Sequence, residues 1–369
     1  MEQAGLYIHV PFCRSKCPYC DFYSVANTSL MSDLLDAMVS EMSLYKGRFG
    51  AFYTLYLGGG TPSFLPEPRL EILMTRVRDQ FVFAPEAEVS IETNPKDLTV
   101  EKVALLKALG FNRINVGVQS FDDGELSFLG RKHSAKDALG AVSRLREAGF
   151  ENIGMDLIYG LPGQDLRHWL DTLERALSFE PEHLSCYQLT IEKGTPFGRM
   201  KEKGDLTSIG EDLEREFFLK TSRFLTDRGY LHYEISNFAQ DLEHVCRHNE
   251  KYWHRSSYLG LGPSAHSFQQ GQRWWNSRSV RAYCAALKSG RAPVEGKETL
   301  SPAQVHLESV ALGLRTRRGF KFSEILGPTE RKRLDELEAT GFLHRVGNRV
   351  VATTKGFLVA DHLPLYLFD

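Results

Sequence analysis

The chain has 369 residues, 42% of them hydrophobic and 25% charged, a composition typical of a globular protein with one large domain and a smaller one. Its formal net charge of −2 creates no global basic field, which argues against general nucleic-acid binding. Since no apolar run approaches the roughly 20 residues of a membrane span, and "MEQAGLYIHV" lacks the regions of a signal peptide, we expect a cytoplasmic protein without a transmembrane segment.

Up to about residue 190, short β-rich runs alternate with helical patterns whose apolar residues recur at i, i+3 and i+4. The predicted strands are Leu6–Val10, Tyr53–Leu57, Glu88–Thr93, Arg113–Val118, Ile153–Gly160 and His183–Ile191. The predicted helices are Leu34–Tyr45, Pro68–Gln80, Glu101–Leu109, Ala135–Ala148, Trp169–Ser178 and Glu211–Arg228. This alternation predicts an α/β fold, in which right-handed crossovers curl a parallel sheet into an open or closed barrel.

Each predicted strand carries polar or glycine-rich residues that a buried strand does not need. The first leads into "PFCRSKCPYCDF", and the second ends in "GGGTP" (Gly58–Pro62). The other strands carry Glu92, Gln119, Asp156 and Gln188. Taken alone, each of these residues could be a polar group at a strand edge whose hydrogen bonds are satisfied by the protein. Because the C-terminal strand ends form the active-site mouth of parallel barrels, the repetition predicts a convergent site there.

Two further segments follow the barrel pattern, which we assign to residues 1–228. Residues 229–300 are rich in aromatic residues and glycine and only weakly periodic, so we expect a loop-dominated segment that closes the barrel mouth. In residues 301–369, the helical patterns Pro302–Leu314 and Pro328–Thr340 precede two β-like runs. Helices followed by a short hairpin predict a winged-helix-like α+β domain. We expect it to serve packing or a partner rather than DNA, because the chain has no basic excess.

The motif Cys-x3-Cys-x2-Cys places Cys13, Cys17 and Cys20 directly after the first predicted strand. In a cytoplasmic protein such a cluster favours metal binding over disulfides, and thiolates select zinc, copper(I) or iron–sulfur clusters. A structural zinc site would need a fourth ligand, either His9 or a distant residue. A [4Fe–4S] cluster held by only three thiolates keeps one iron open to a small molecule. The spacing favours the iron–sulfur cluster, with zinc and redox thiols as alternatives.

This motif, with Tyr19 before its last cysteine, resembles the radical S-adenosylmethionine (radical SAM) superfamily. The resemblance implies a partial (β/α)6 barrel, a [4Fe–4S] cluster on the three cysteines and SAM at the open iron. An electron from the cluster cleaves SAM in that superfamily, which implies an electron donor as partner. The implied SAM contacts are Tyr7, Gly60, Thr61, Glu92, Gln119, Arg131 and Asp156.

The chemistry of these residue types suits a SAM site. The glycines of "GGGTP" let the backbone approach a ligand, and the amides of this loop can bond the SAM amino acid. Glu92 can hold a ribose hydroxyl or the ammonium group. Arg131 can pair with the SAM carboxylate.

Further motifs make essentially the whole chain similar to the oxygen-independent coproporphyrinogen III oxidase group. They are "LYIHVPFC", "CPYCDF", "LGGGTPS", "ETNP", "GVQSF", "MDLIYGLPGQ", "YQLTIEKGT" and "YEISNFA". The pattern is most similar to the HemW-like branch, whose members bind heme and hand it to an acceptor. Phe22 stands where the oxidase has a further cysteine, and only twelve residues precede the motif, so both features count against oxidase activity. The alternative is a SAM-dependent radical enzyme acting on a porphyrinogen or another tetrapyrrole.

The stretch "HNEKYW" (His248–Trp253) resembles the motif tied to heme binding in that branch, and imidazole is a common axial ligand of heme iron. The alternative is that His248 and Trp253 only pack the segment over the barrel. His266, in "GPSAH", is a second ligand candidate. The resemblance implies heme as cargo and an unidentified acceptor protein, in solution or at a membrane, and no nucleic-acid partner.

Overall fold

The computed structural model describes residues 4–368, and its central feature is a series of parallel strands joined by helices. The strands are β1 (Ala4–Val10), β2 (Phe52–Gly59), β3 (Phe83–Thr93), β4 (Arg113–Gln119), β5 (Ile153–Tyr159) and β6 (His183–Gln188). The helices are α1 (Met31–Tyr45), α2 (Glu67–Gln80), α3 (Val100–Ala108), α4 (Asp123–Phe128), α5 (Ala135–Glu147), α6 (Leu166–Leu177), α7 (Pro196–Lys203) and α8 (Glu211–Thr226). Strands β1 to β6 pair in parallel and in chain order, which confirms the predicted βαβ units.

Side chains alternate along the parallel strands, because successive residues of a strand point to opposite faces. In β1, Leu6, Ile8 and Val10 are fully buried in the apolar core. Between them, Tyr7 and His9 point to the other face, where they bond each other. The same alternation recurs along β2 to β6, so the parallel strands enclose a polar interior while the helices cover an apolar exterior.

Polar capping residues start several of the covering helices. At the start of α5, the Ser134 hydroxyl accepts a hydrogen bond from the Asp137 amide, and the Asp137 carboxylate accepts one from the Ser134 amide. This reciprocal capping box satisfies amides that the first helical turn leaves free. In α6, the fully buried Trp169 donates to the hydroxyl of Thr221 in α8 (2.7 Å). Such contacts fix the outer layer and leave the carboxyl ends of the strands for the site.

Residues 229–300 extend the sheet, so the expectation of a loop-dominated segment is wrong. The segment contains β7 (Leu231–Glu234), β8 (Asn237–Ala239), α9 (Arg247–Trp253), β9 (Tyr258–Leu261), β10 (His266–Gln269), β11 (Gln272–Asn276), α10 (Val280–Lys288) and β12 (Val294–Thr299). Within residues 4–368 the sheet order is β12-β11-β10-β9-β1-β2-β3-β4-β5-β6-β8-β7. The new strands are three to six residues long, too short for a clear sequence period, and they form because both edges of the parallel sheet offer unpaired backbone groups.

The residues from Pro302 onward form most of a second apolar core, to which Phe218 of α8 also belongs. They form α11 (Pro302–Leu314), β13 (Phe320–Lys321), α12 (Pro328–Ala339), β14 (Leu343–Val346), β15 (Arg349–Ala352), α13 (Thr354–Phe357) and α14 (Leu363–Phe368). The three strands form an antiparallel sheet in the order β13-β15-β14, which confirms the predicted small α+β unit in the described part of the chain. The domain boundaries at residues 228 and 300 stay predictions. No helix within residues 4–368 is long and apolar enough to cross a membrane.

Candidate functional site at the carboxyl ends of the strands

The three cysteines lie in the loop that leaves β1 at the carboxyl end of the parallel strands. The Val25 amide donates to the Pro11 carbonyl (2.8 Å), and the Cys13 amide donates to the Val25 carbonyl (3.0 Å). Inside the loop, the Cys20 amide donates to the Cys17 carbonyl (3.2 Å). All three cysteines are half-buried free thiols and line one pocket. These backbone bonds therefore hold the three sulfur atoms around a common space.

Polar side chains approach the cysteine sulfur atoms. The Thr61 hydroxyl donates to Cys13 Sγ (3.4 Å), and Arg131 Nη1 lies 3.7 Å from Cys17 Sγ. Burial raises the pKa of Cys13 and of Cys20 above that of an exposed thiol. The hydroxyl and the guanidinium act in the opposite direction, because both stabilise negative charge on sulfur. Burial thus disfavours thiolates in this pocket unless a cationic group lies beside the sulfur atoms.

The glycine loop after β2 packs directly against the cysteine loop. Gly59 has a φ of +106°, and a methyl group there would lie 2.5 Å from Cε1 of His9. A methyl group on Gly60 would lie 2.6 Å from the carbonyl carbon of Pro11. Gly59 thus requires glycine for its left-handed conformation, and Gly60 requires glycine for the space beside the Pro11 backbone.

The amides of this loop are occupied by the protein itself, which corrects the expectation that they bond the SAM amino acid. The Gly60 amide donates to the Val10 carbonyl (2.8 Å), and the Thr61 amide donates to the Phe12 carbonyl (2.9 Å). The Gly59 amide donates to the Glu92 carboxylate (3.1 Å). These bonds tie the loop to β1, to Phe12 at the start of the cysteine loop and to β3. Gly60 and Thr61 still line the cysteine pocket, so their contribution is shape rather than amide donation.

Glu92 and Asp156 form an acidic pair inside the barrel. The Glu92 carboxylate accepts a hydrogen bond from the Tyr56 hydroxyl (2.9 Å). Burial, followed by the charge of Asp156, raises the pKa of Glu92 to about 7. Burial raises the pKa of Asp156 to about 6, although a hydrogen bond from Ser185 partly opposes the rise. Glu92 is thus partly protonated near pH 7, and it can either accept a hydrogen bond from a ligand or donate one.

Gln119 and Arg131 meet above Gly117 at the end of β4. Gln119 has a φ of +67°, and this left-handed conformation turns the chain at the strand end. Arg131 Nη2 donates to the Gly117 carbonyl (2.9 Å). A methyl group on Gly117 would lie 2.9 Å from Gln119 Nε2 and 3.2 Å from Arg131 Nη2. The structure therefore brings these two predicted SAM contacts together.

Tyr7 and His9 form a buried pair on β1. His9 Nε2 donates to the Tyr23 carbonyl (2.9 Å), so Nδ1 is the acceptor for the Tyr7 hydroxyl (3.0 Å). Burial lowers the pKa of His9 to about 4, so the ring is neutral at pH 7. The pair fastens β1 to the end of the cysteine loop, where Tyr23 lies. The bond to His9 thus places Tyr7 near the site and uses the Tyr7 hydroxyl hydrogen.

His248, predicted as a heme ligand, lies inside the barrel, with its ring centroid 6.2 Å from that of Tyr7. Its ring stacks on Tyr56 with centroids 5.0 Å apart. Nδ1 bonds the Thr54 hydroxyl (2.8 Å), and Nε2 bonds the Tyr252 hydroxyl (2.9 Å). The residue is 1% exposed, and burial lowers its pKa to about 3. In this conformation both ring nitrogens are occupied, so the structure does not present His248 to a ligand.

The residues of the cysteine pocket fit a cluster with a polar ligand beside it. Within residues 4–368, Nε of Arg131, which lines this pocket, is buried without a hydrogen-bond partner, as are Ser90 Oγ and Asn115 Oδ1 on the neighbouring strands β3 and β4. Buried polar atoms are normally satisfied, so the interior fits a ligand that supplies partners. No three His, Cys, Asp or Glu side chains in the described chain have the arrangement of a single-ion site. The thiolates of a [4Fe–4S] cluster bind different iron atoms and need no such arrangement.

Sequence reasoning missed several polar residues inside the barrel. Tyr56 bonds Glu92, and the fully buried Arg113 lies 3.9 Å from Glu88. His183 Nε2 bonds the Tyr233 hydroxyl (2.7 Å). The available signal was the period-2 alternation within each strand, which marks every second residue of the parallel strands as interior.

A comparison with family models assigns residues 7–176 to the radical SAM superfamily. This range contains the cysteine loop together with Glu92, Gln119 and Asp156. The match therefore covers the part of the chain that carries the site.

Similar proteins extend over almost the whole chain. Heme chaperone HemW of Mycobacterium tuberculosis is 37% identical over 363 residues, which cover 97% of this chain and 93% of that protein. Heme chaperone HemW of Escherichia coli is 33% identical over 375 residues, which cover 97% of this chain and 96% of that protein. Among solved structures, coproporphyrinogen III oxidase (HemN) from Escherichia coli, a radical SAM enzyme, matches with a TM-score of 0.86 at 24% identity. It covers 99% of this chain and 90% of that one, so the two share the fold.

Proposed function

The chain belongs to the HemW family of the radical SAM superfamily, and we propose that it is a heme chaperone, which binds heme and transfers it to an acceptor protein. The observation that carries the proposal is the similarity to heme chaperones over barrel and C-terminal unit alike. The proposal places the protein in the cytoplasm, where thiols stay reduced. The proposed acceptor is a second protein.

The cysteine pocket is proposed to hold a [4Fe–4S] cluster on Cys13, Cys17 and Cys20. A cluster bound there would supply single electrons to SAM and would need an electron donor. Arg131 supports this assignment, since its guanidinium offsets thiolate charge and its unpartnered Nε can bind a carboxylate. Glu92 would bind a hydroxyl or ammonium group of SAM. The remaining proposed SAM contacts are Tyr7, Gly60, Thr61, Gln119 and Asp156.

Anaerobic heme titration of reconstituted protein, followed by visible absorption, tests the chaperone function. We expect saturation at about one heme per chain, since specific ligand sites are few per protein. The loaded protein should then pass its heme to apomyoglobin, whose own absorption reports the transfer. Uptake that never saturates, or heme that cannot be transferred, would contradict the proposal.

A second candidate function is a radical enzyme that uses SAM to act on a porphyrinogen or another tetrapyrrole. The observation in its favour is the ionisable interior, where burial raises the pKa of Glu92 to about 7 and that of Asp156 to about 6. Groups poised near neutral pH suit proton transfer. Formation of 5′-deoxyadenosine from SAM and a reductant, dependent on added coproporphyrinogen III, would support the enzyme. The control is Cys17→Ala protein. An equal amount of 5′-deoxyadenosine without porphyrinogen would argue against the enzyme function.

A further inference from the structure

A second cavity lies beside the barrel, between the sheet extension β9 to β12 and helix α11. It has a volume of about 450 Å³, which falls within the range of roughly 300–1,000 Å³ found for ligand pockets. Tyr252, from the "HNEKYW" stretch, contributes to its lining, and Leu312 contributes from α11. The cavity is therefore built by the parts of the chain that sequence reasoning treated as loops and tail.

The cavity has aromatic walls. The rings of Tyr252 and Tyr258 meet edge to face with centroids 4.8 Å apart. The ring of Phe268 lies 6.1 Å from that of Tyr258, and Trp275 lines the cavity on β11. Such rings provide large flat apolar surfaces for a planar macrocycle.

His266 lies at the start of β10 and lines this cavity. Its ring stacks on Trp275, the residue opposite on β11, with centroids 5.8 Å apart. The side chain is exposed, and neither ring nitrogen bonds any residue of the described chain, 4–368. Burial and the charge of Arg273 lower the pKa of His266, so the imidazole is neutral at pH 7. A neutral imidazole with a free nitrogen is the form that binds heme iron.

Two arginines stand at the same cavity and can bind carboxylates. Arg255 pairs with Glu308 (2.5 Å), and Arg273 pairs with Glu308 (2.6 Å) and Glu298 (3.1 Å). Arg255 has a φ of +52°, and its Nη2 is buried without a partner in residues 4–368. The guanidinium groups match the planar geometry of a carboxylate, and a ligand carboxylate would compete with the two glutamates for them.

We propose that this cavity is the heme site, with His266 as the axial ligand. The aromatic walls contact the macrocycle, and the heme carboxylates pair with Arg255 and Arg273 in place of Glu308 or Glu298. This inference rests on the proposed chaperone function, because it locates the heme that this function requires. His248 is then a positioning residue, since it bonds the hydroxyl of Tyr252, whose ring forms part of the wall.

Heme titration of the full chain tests the site with matched histidine variants. His266→Ala should weaken heme binding at least about tenfold and change the absorption spectrum of what remains bound. His266→Met should still bind heme, with a shifted absorption maximum, because the thioether replaces the imidazole as ligand. His248→Ala should weaken binding but leave the absorption maximum unchanged. His344→Ala, an exposed histidine on β14, is the control and should behave as wild type.

A cavity-filling variant gives an independent readout. Leu312→Trp should reduce heme binding by blocking the cavity, while far-ultraviolet circular dichroism and cluster content stay unchanged. Saturable wild-type binding with identical spectra in His266→Ala would overturn the site and leave the chaperone function standing. If the heme absorption spectrum disappears in His248→Ala but is unchanged in His266→Ala, His248 is the ligand and the proposed site is wrong. Failure of the wild type itself to saturate would instead overturn the chaperone function.

Discussion

At the scale of single residues, Gly60 shows how little room the cysteine pocket leaves for a side chain. A methyl group there would lie 2.6 Å from the carbonyl carbon of Pro11 and 2.8 Å from the carbonyl oxygen of Phe12. Both contacts are with backbone, which cannot rotate away as a side chain can. The cysteine loop itself would have to move.

We therefore expect Gly60→Ala to lower the free energy of unfolding by about 1–3 kcal/mol, the usual cost of overpacking. It should also reduce bound iron and sulfide, because the displaced loop carries Cys13. Denaturant titration and iron analysis measure the two effects. Gly50→Ala is the control, since its added methyl group would have no atom within 4 Å. Wild-type stability and iron content in Gly60→Ala would contradict the packing argument.

Cys17 is the sulfur that Arg131 approaches, so its replacement tests the proposed ligand set directly. Cys17→Ala should abolish the cluster, because the two remaining thiolates leave one more iron without a protein ligand. Iron and sulfide content after anaerobic reconstitution, together with visible absorption, report the loss. Cys284→Ala, a half-buried cysteine on α10, should retain full content. Full iron and sulfide in Cys17→Ala would show that this thiol is no ligand.

At the scale of elements, the buried Glu41 joins α1 to α10 and to the sheet extension. Its carboxylate accepts hydrogen bonds from the Asn276 side chain (2.6 Å), the Gly262 amide (2.8 Å) and the Tyr283 hydroxyl. Burial raises its pKa to about 7, although these hydrogen bonds oppose the rise. The protonated carboxyl is therefore the form that folding favours.

This raised pKa predicts a pH-dependent contribution to stability. The shift from 4.5 to about 7 corresponds to a stabilisation of about 3 kcal/mol by the protonated carboxyl. This stabilisation is complete below the unfolded-state pKa of 4.5 and is lost as pH rises through about 7. Glu41→Gln removes the titration, so its stability relative to wild type should improve by up to that amount between pH 4.5 and pH 8. Urea denaturation across this range measures the difference. Glu71→Gln, at an exposed site on α2, is the control, and a difference independent of pH would refute the assignment.

At the scale of the whole molecule, two apolar cores meet along helix α8. Phe217 of this helix belongs to the barrel core, whereas its neighbour Phe218 belongs to the core of the C-terminal unit. Backbone bonds reinforce the contact, since the Ile235 amide donates to the Arg315 carbonyl (3.2 Å). The C-terminal unit is thus attached through one face of α8 and the adjoining strand β7.

Phe218→Ala should loosen this attachment, because removing a buried phenylalanine costs about 3–5 kcal/mol. We expect faster amide hydrogen exchange across residues 302–368, with little change in β1 to β6. Mass spectrometry of exchanged peptides locates the effect. Leu326→Ala, at a residue that is 73% exposed, should leave exchange unchanged. Uniformly faster exchange over the entire chain would mean that the two cores unfold together.

The sequence predicted the parallel strands to within a few residues at most ends, because their apolar runs and the intervening helices each have a strong period of their own. It also placed Glu92, Gln119 and Asp156 on the adjacent strands β3, β4 and β5, since the topology of parallel strands leaves little choice. It failed at β7 to β12, whose short strands are stabilised by the edges of a sheet formed by other residues. It also failed for the amides of "GGGTP", whose partners lie on β1, on β3 and at Phe12 just after β1.

The sequence alone thus determined the fold class, the three-cysteine motif and the resemblance that implies a cluster. These depend on local spacing and on residue chemistry, which a linear chain displays. Only the tertiary structure decided which groups are free to bind a ligand. His248 and His266 are equally plausible ligands by residue type, but Thr54 and Tyr252 occupy the first, whereas the second remains exposed in an aromatic cavity. Availability depends on contacts between distant segments, and those contacts exist only once the chain has folded.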